Sequence, residues 1–186
     1  KEAAWNNKVN WDIAWVDAEK LEKGSLRKLS KLDGIVVPGG FGSRGVEGKI
    51  RAAGYAIKNK VPYLGLCLGM QVGVIALARM NGIKGANSPE VDPNTTDPVI
   101  HIMEHQKGLA ETGGTMRLGN YPCQLDKKSL SYKLYGKKLV QERHRHRYEM
   151  NNAYRDQLVK AGFIIAGQST DGQLVELIEI AKHPFF

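Results

Sequence analysis

The sequence predicts an α/β fold: an open, mostly parallel sheet flanked by helices, with extra antiparallel strands. Three observations carry that prediction. Residues 32–37 form an apolar run that ends at Pro38-Gly39-Gly40, and helical spacing follows it. A second apolar run, residues 61–66, leads into Gly65-Leu66-Cys67-Leu68-Gly69 and then another apolar helix pattern. Strand, glycine-rich loop, helix, strand, sharp turn and helix is the order in which parallel strands are wound.

Taken in order, residues 11–17 alternate enough to predict a strand, and residues 32–37 predict a buried one. The loop Gly39-Gly40-Phe41-Gly42-Ser43-Arg44-Gly45 carries four glycines in seven positions. Apolar residues at 46, 50, 53 and 57 predict a helix over 46–59. Residues 61–66 predict a buried strand and residues 68–80 a helix. Residues 87–98, rich in Pro, Asn, Asp and Thr, predict a long loop. Short strands are expected over 99–103, 115–118 and 139–143, and a helix over 150–161 ending at Gly162. Residues 163–167 and 174–180 predict an antiparallel pair turned at Asp171-Gly172. No repeat or low-complexity tract is present, and one domain over 1–186 is expected.

Cys67 is the candidate nucleophile. A cysteine between glycines at a strand-to-helix junction has the layout of a nucleophile elbow, with sulfur in place of the serine hydroxyl. The turn is sharp, so a Cβ at a flanking position would collide with neighbouring backbone. The sulfur then sits at a helix start, where free N–H groups and the positive dipole end are expected to favour the thiolate. In parallel sheets the working site lies at the carboxyl ends of the strands, which puts the 39–45 loop and Cys67 on one edge. Thiolate attack on an amide needs oxyanion donors, a base, and a group that orients the base. The N–H of Leu68 and the Gly39-Gly40 turn are the candidate donors, and Gln71, one helical turn past Cys67, can face the same pocket.

The histidines offer no evident base. His101 and His105 have i,i+4 spacing, but in strand and loop surroundings rather than on a helix. His144 and His146 share one face of a strand, with Arg143, Arg145 and Arg147 on the other. No third ligand is expected near that pair, and the flanking cations disfavour a metal, so no metal site is predicted.

The net charge is +8, but the basic residues are spread along the chain, and a solvated basic face is preferred over nucleic-acid binding. No apolar run approaches the ~18–20 residues of a membrane span, and no signal-peptide pattern opens the chain. Two cysteines, Cys67 and Cys123, with one of them a nucleophile, fit a reducing cytoplasm without a disulfide. Cys123 is expected to be a buried core residue. Because residue 1 is Lys, the chain is expected to begin inside a longer protein or after a disordered start.

Several strings together carry a resemblance. They are Pro38-Gly39-Gly40-Phe41-Gly42-x-Arg44-Gly45-Val46-Glu47-Gly48 and Pro62-Tyr63-Leu64-Gly65-Leu66-Cys67-Leu68-Gly69-Met70-Gln71. Further strings are Ala86-Asn87-Ser88-x-Glu90, Gly113-Gly114-Thr115-Met116-Arg117-Leu118-Gly119, Glu142-Arg143-His144-Arg145-His146-Arg147-Tyr148-Glu149 and Gln173-Leu174-Val175-Glu176. Over roughly residues 11–186 the chain resembles the class I glutamine amidotransferases, and most closely the glutaminase domains of the CTP synthase family. The resemblance implies that Cys67 hydrolyses L-glutamine through a thioester. The ammonia would pass to a synthetase domain that aminates UTP to CTP with ATP and Mg2+. By position it makes Gly40 the oxyanion-loop glycine and Leu68, Gly69, Met70 and Gln71 the segment that holds glutamine. Glu90 would receive the α-amino group and Arg147 the α-carboxylate. Arg44, Gly45 and Glu47 would form part of a segment that responds to the effector GTP. It further implies no cofactor in this domain, a homo-oligomeric full enzyme and a cytoplasmic location.

In that family the catalytic histidine and its glutamate follow a string like His183-Pro184-Phe185-Phe186. His183 is therefore not expected to be the base, and the chain is expected to be incomplete at both ends and poorly active alone. Two alternatives are a non-catalytic glutamine-binding or regulatory module, and a cysteine peptidase or chaperone-like relative sharing the elbow.

Overall fold

The computed structural model describes residues 1–103 and 116–185. Gly113, Gly114, Thr115, His105 and Phe186 lie outside the described residues. The chain opens with a short helix α1 (Glu2–Asn6), helix α2 (Ala18–Lys23) and a 3-10 helix over Leu26–Lys31. Asp17 and Ser25 begin the latter two by accepting hydrogen bonds from the N–H groups of Glu19 and Arg27. Next come β1 (Ile35–Val37), α3 (Val46–Asn59), β2 (Tyr63–Gly65) and α4 (Leu68–Met80). Both longer helices occupy the spans that their apolar spacing predicts.

β1 and β2 pair in parallel, Ile35 opposite Tyr63 and Val37 opposite Gly65. Phe185 forms a parallel bridge to Tyr63, whose N–H donates to the Pro184 carbonyl at 2.8 Å. The chain end thus lies along β2, and the Phe185 ring stacks on Tyr63 at 4.4 Å and 8°. Helix α4 is apolar nearly all round and buries ten of its thirteen residues, as a helix covered on several faces must. It packs on α3, β1 and β2, and on three short strands: β3 (Ala86–Asn87), β5 (Ile100–Ile102) and β8 (Tyr148–Met150). β3 pairs in parallel with β4 (Asp97–Pro98), and β5 pairs antiparallel with β8.

The second half builds an antiparallel sheet from β6 (Arg117–Leu125), β7 (Leu139–His146), β9 (Phe163–Ser169) and β10 (Val175–Ile180), in the order β10-β9-β6-β7. Helix α5 (Leu130–Tyr135) joins β6 to β7, and α6 (Arg155–Lys160) precedes β9. Buried Glu179 accepts from the N–H groups of Leu130 and Ser131 at 2.9 and 2.6 Å, which satisfies the first turn of α5. One large apolar cluster joins the two halves, running from Leu21 and Ile35 through α4 to Phe163 and Ile178. Cys123 is fully buried in a smaller cluster with Leu125 and Val140, and both cysteines are free thiols.

The α/β class holds, with the parallel pairing concentrated around β1 and β2 and a larger antiparallel share in the second half. Three local expectations do not hold. Residues 11–17 are not a strand: among the described residues nothing pairs with them, and Trp11, Ile13 and Trp15 are exposed. Strand pattern without a ladder partner leaves backbone groups to water instead. The helix expected over 150–161 begins only at Arg155. Met150 is held in β8 opposite Ile100, and Asn151 caps a 3-10 turn over Asn152–Tyr154 by accepting from Ala153 N–H. β6 runs far past Leu118, through Gly119 and Pro122, two residues that read as breakers.

Two glycines in α3 test this packing. A Cβ on Gly48 would sit 1.8 Å from the Ala18 carbonyl oxygen, whereas one on Gly54 would meet nothing closer than Met80 Sδ at 3.9 Å. Thermal melting of the two variants should move in opposite directions. Gly54→Ala is expected to gain about 0.5–1 kcal/mol from helix propensity. Gly48→Ala is expected to lose about 2 kcal/mol or more by driving α2 off α3.

Candidate functional site

β2 ends at Gly65 and α4 starts at Leu68, so the chain reverses within two residues, with Cys67 at φ 55° and ψ −106°. A cysteine at positive φ is strained by about 1–3 kcal/mol, a cost that persists only where packing over-determines it. The determinants are close backbone contacts. A Cβ on Gly69 would lie 2.0 Å from the Val37 carbonyl oxygen, and one on Gly65 would lie 2.6 Å from the Gly69 carbonyl carbon and oxygen. The Val37 carbonyl also accepts the Leu66 N–H at 2.9 Å, and the buried Tyr63 hydroxyl donates to the Gly69 carbonyl at 2.7 Å. The two flanking glycines are required for the steric reason the motif predicts.

The Cys67 sulfur is met by backbone groups. The N–H groups of Leu68 and Gly40 point at it, and its thiol donates to the Arg145 carbonyl at 3.6 Å. These are the two donors expected for an oxyanion. Burial nevertheless pushes the thiol above its ordinary value. The Leu68 and Gly40 N–H groups pull it back, Glu90 adds to the rise and Arg145 opposes it. The expectation that the helix start favours the thiolate is therefore corrected: burial of the sulfur outweighs the pull of the two N–H groups.

Cys67 opens into a cavity of about 280 Å³ lined by Gly40, Phe41, Gln71, Glu90, Met116, His146, Arg147 and Tyr148. Gly40, Gln71, Glu90 and Arg147 thus meet at Cys67 from four separate segments. Glu90 accepts the Gly42 N–H at 2.9 Å and so clips the glycine-rich loop to the rim. Gln71 is buried and donates its amide to the Tyr148 carbonyl at 3.1 Å, which leaves its Oε1 as an acceptor. Leu68 reaches the site through its backbone. Gly69 packs on Val37 and Met70 packs against the core, so neither lines the cavity.

Arg44, Gly45 and Glu47 do not line it either. Arg44 pairs with Glu19, Gly45 begins α3 at φ 67°, and Glu47 forms a 2.8 Å ion pair with Arg79. His183 is turned away: its Nε2 lies 3.2 and 3.1 Å from the Ala56 and Ile57 carbonyls. His101 pairs with Glu149 at 3.4 Å. A larger hollow of about 590 Å³, lined by β6, α6 and β9, holds Asp126 and Arg155 but no nucleophile.

Sequence reasoning missed Phe41, Met116, His146 and Tyr148 as lining residues, although each lies inside a string that carried the resemblance. It also missed a third group beside the histidine pair. Glu176 of β10 stands next to them, and one ligand atom from each of His144, His146 and Glu176 lies within 4.8 Å of the others. The expectation of no nearby third ligand is corrected. Arg117 already holds that carboxylate, at 2.7 and 2.9 Å to its two oxygens, and places a fixed cation where a metal charge would sit.

With this geometry in view, the relatives can be compared. The family model of class I glutamine amidotransferases matches residues 2–186. The CTP synthase of Clostridium kluyveri is 52% identical over 182 residues, covering 97% of this chain and 34% of that protein. The CTP synthase of Caldanaerobacter subterraneus subsp. tengcongensis is 55% identical over 188 residues, covering 100% of this chain and 35% of that protein. The chain therefore spans about a third of the length of these curated relatives. Among solved structures, the Trypanosoma brucei CTPS glutaminase domain with bound acivicin superposes with a TM-score of 0.89 at 40% identity, covering 98% of this chain and 73% of that one. This chain belongs to the class I glutamine amidotransferase family, and within that family it matches the glutaminase domains of the CTP synthases along its whole length.

Proposed function

We propose that residues 1–186 form the glutaminase domain of a CTP synthase, which hydrolyses L-glutamine at Cys67 and delivers ammonia to a synthetase domain of the full-length protein. The observation that carries this reading is the convergence on one sulfur of two backbone N–H donors, within a cavity that also holds one carboxylate and one guanidinium. Free glutamine is a zwitterion with a terminal amide. Glu90 and Arg147 match its α-ammonium and α-carboxylate, and the amide carbon is left to meet Cys67.

The chemistry then divides among groups already in place. The thiol loses its proton and attacks the amide carbon. The oxygen that gains charge is held by the N–H groups of Gly40 and Leu68, which are fixed before reaction and cost no reorganisation. Ammonia leaves, and water cleaves the thioester to glutamate. Gln71 and the Leu68 N–H hold the amide end. Among the described residues, the partners of the sulfur are backbone groups and no histidine hydrogen-bonds to it. The family's histidine and glutamate would follow the His183-Pro184-Phe185 string. Phe185 runs parallel to Tyr63 and hence toward the Cys67 end of β2, which supports that placement.

The wider activity belongs to the same proposal. The full-length protein would use ATP, Mg2+ and UTP in its synthetase domain, would assemble as a homo-oligomer, and would work in the cytoplasm. GTP would act through Arg44, Gly45 and Glu47, the loop and helix start that join the glycine-rich loop to α3. No cofactor is proposed for this domain. No helix among the described residues is long and apolar enough to cross a membrane.

Steady-state glutamine hydrolysis by the full-length protein tests the core of this reading. Cys67→Ala is expected to remove detectable glutaminase activity, and unimpaired turnover by that variant would sink the assignment. Glu90→Gln and Arg147→Gln are each expected to raise KM for glutamine by about tenfold or more, because each deletes a charged partner worth about 1.5–3 kcal/mol. The need for a base has its own check. In this domain, iodoacetamide alkylation of Cys67 should titrate with a midpoint above that of an ordinary cysteine. A midpoint well below it would show that the elbow activates the thiol unaided.

A further inference from the structure

β7 ends at His146 and β8 starts at Tyr148, with Arg147 at the bend between them. The His146 ring spans that bend. Its Nδ1 lies 3.0 Å from the Tyr148 carbonyl, an oxygen that only accepts, so Nδ1 carries the proton. The same carbonyl accepts the Gln71 amide at 3.1 Å. One backbone oxygen thus joins the bend that presents Arg147 to the side chain of Gln71 on α4, and both residues line the Cys67 cavity.

The ring is itself held from behind. His146 Nε2 lies 2.9 Å from His144 Nδ1. Arg117 Nη1 also lies 3.3 Å from His144 Nδ1, so that nitrogen meets both the guanidinium and His146. Burial keeps both rings neutral: it lowers His146 from its ordinary value and takes His144 down to about 4. His144 Nε2 then faces Glu176 Oε2 at 3.4 Å, and the Tyr121 ring meets the His144 ring edge-on at 5.7 Å. Glu176 and Arg117 form an ion pair whose side chains are 2% and 6% exposed. The Arg117 guanidinium in turn lies over Tyr121, 4.3 Å from its centroid. Four elements' ends are tied in this way: β6 through Arg117, β7 through both histidines, β10 through Glu176, and α4 through Gln71. His144 Nε2 makes no hydrogen bond among the described residues, so the contact that fixes the bend is the one from His146 Nδ1–H to the Tyr148 carbonyl.

We propose that His146, backed by His144, is a positioning residue that fixes the Arg147 bend through the Tyr148 carbonyl it shares with Gln71, and so sets the affinity of the Cys67 pocket for glutamine. The inference rests on the glutaminase reading above. It assigns no bond-making role to His146, since both ring nitrogens are already engaged. His146 acts on substrate only through its neighbours.

The test is steady-state glutamine hydrolysis by the full-length protein carrying His146→Leu, His146→Asn, Arg147→Gln and the Leu/Gln double variant. His146→Leu deletes the Nδ1–H donor, and asparagine restores an N–H at that place. The expected result is a KM for glutamine raised about tenfold in His146→Leu, with kcat within about threefold, and return to within about threefold of wild type in His146→Asn. If His146 acts through Arg147, the double variant's KM should exceed that of Arg147→Gln by no more than about threefold, rather than by the full product. An unchanged KM in His146→Leu, an equal rise in His146→Asn, or fully multiplicative effects would each overturn the inference. Should melting show that His146→Leu does not fold, His144→Leu and His144→Asn carry the same comparison one residue further from the cavity. A wild type that hydrolyses no glutamine overturns the functional reading and this inference with it. An active wild type with an unaffected variant overturns the inference alone.

Discussion

The contact on which the rest depends is the seating of Gly69 against the Val37 carbonyl. The oxygen occupies the space a side chain on Gly69 would need. Because the start of α4 can come that close to the end of β1, the chain between β2 and α4 has only two residues in which to reverse. Cys67 is forced to positive φ, its sulfur is lifted out of the sheet, and the Leu68 N–H is left pointing at it. The Gly40 N–H arrives from the other side, on the loop that follows β1 and is clipped by Glu90. One backbone approach thereby places the Cys67 sulfur and the Leu68 N–H, and the loop after β1 brings the Gly40 N–H to them. The strain at Cys67 is carried by the burial of α4, most of whose residues are inaccessible to solvent.

The electrostatics of the site follow from the same packing. Cys67 is half-buried at the cavity, and that burial makes its thiol resist ionisation. Two N–H groups only partly offset that resistance. In the proposed reaction the elbow would therefore stabilise a charged oxygen in the transition state rather than a resting thiolate, and deprotonation would fall to a separate group. The four-stranded antiparallel sheet supplies the opposite wall. Its strand β7 lays the Arg145 carbonyl over the sulfur and ends in the bend that carries Arg147 and Tyr148 into the cavity. Behind that bend lie the Glu176–Arg117 ion pair and the His144–His146 contact, whereas the facing wall rests on the close backbone approach at the glycines.

Much of the fold was legible where local pattern and tertiary demand agree. The spans of α3 and α4 follow from apolar spacing, β1 and β2 from short apolar runs, and the β9–β10 pair from a turn dipeptide. Legibility failed where a partner decides the outcome. Residues 11–17 carry strand pattern but pair with nothing among the described residues, and Met150 carries helix pattern but is captured by Ile100. β6 carries Gly119 and Pro122 in register with β7, opposite His144 and Gln141, while β9 pairs with it only from Cys123 onward.

By itself the sequence determined the cysteine elbow, the glycine-rich loop that meets it and the family to which both belong. These are written in contiguous strings, where the identity of each residue is the constraint. Tertiary structure alone decided which distant residues share the cavity and in what state. It placed Gln71 on the Tyr148 carbonyl, drew Phe41 and His146 to the rim, kept Gly69 and Met70 away from it, and set Glu176 beside two histidines from another strand. It also reversed the expectation for the Cys67 thiol, since motif spacing gives the donors but not the depth of burial. The physical reason is common to all of these: a string specifies chemistry and local turn, whereas desolvation and partner choice depend on surfaces that meet only once the chain is folded.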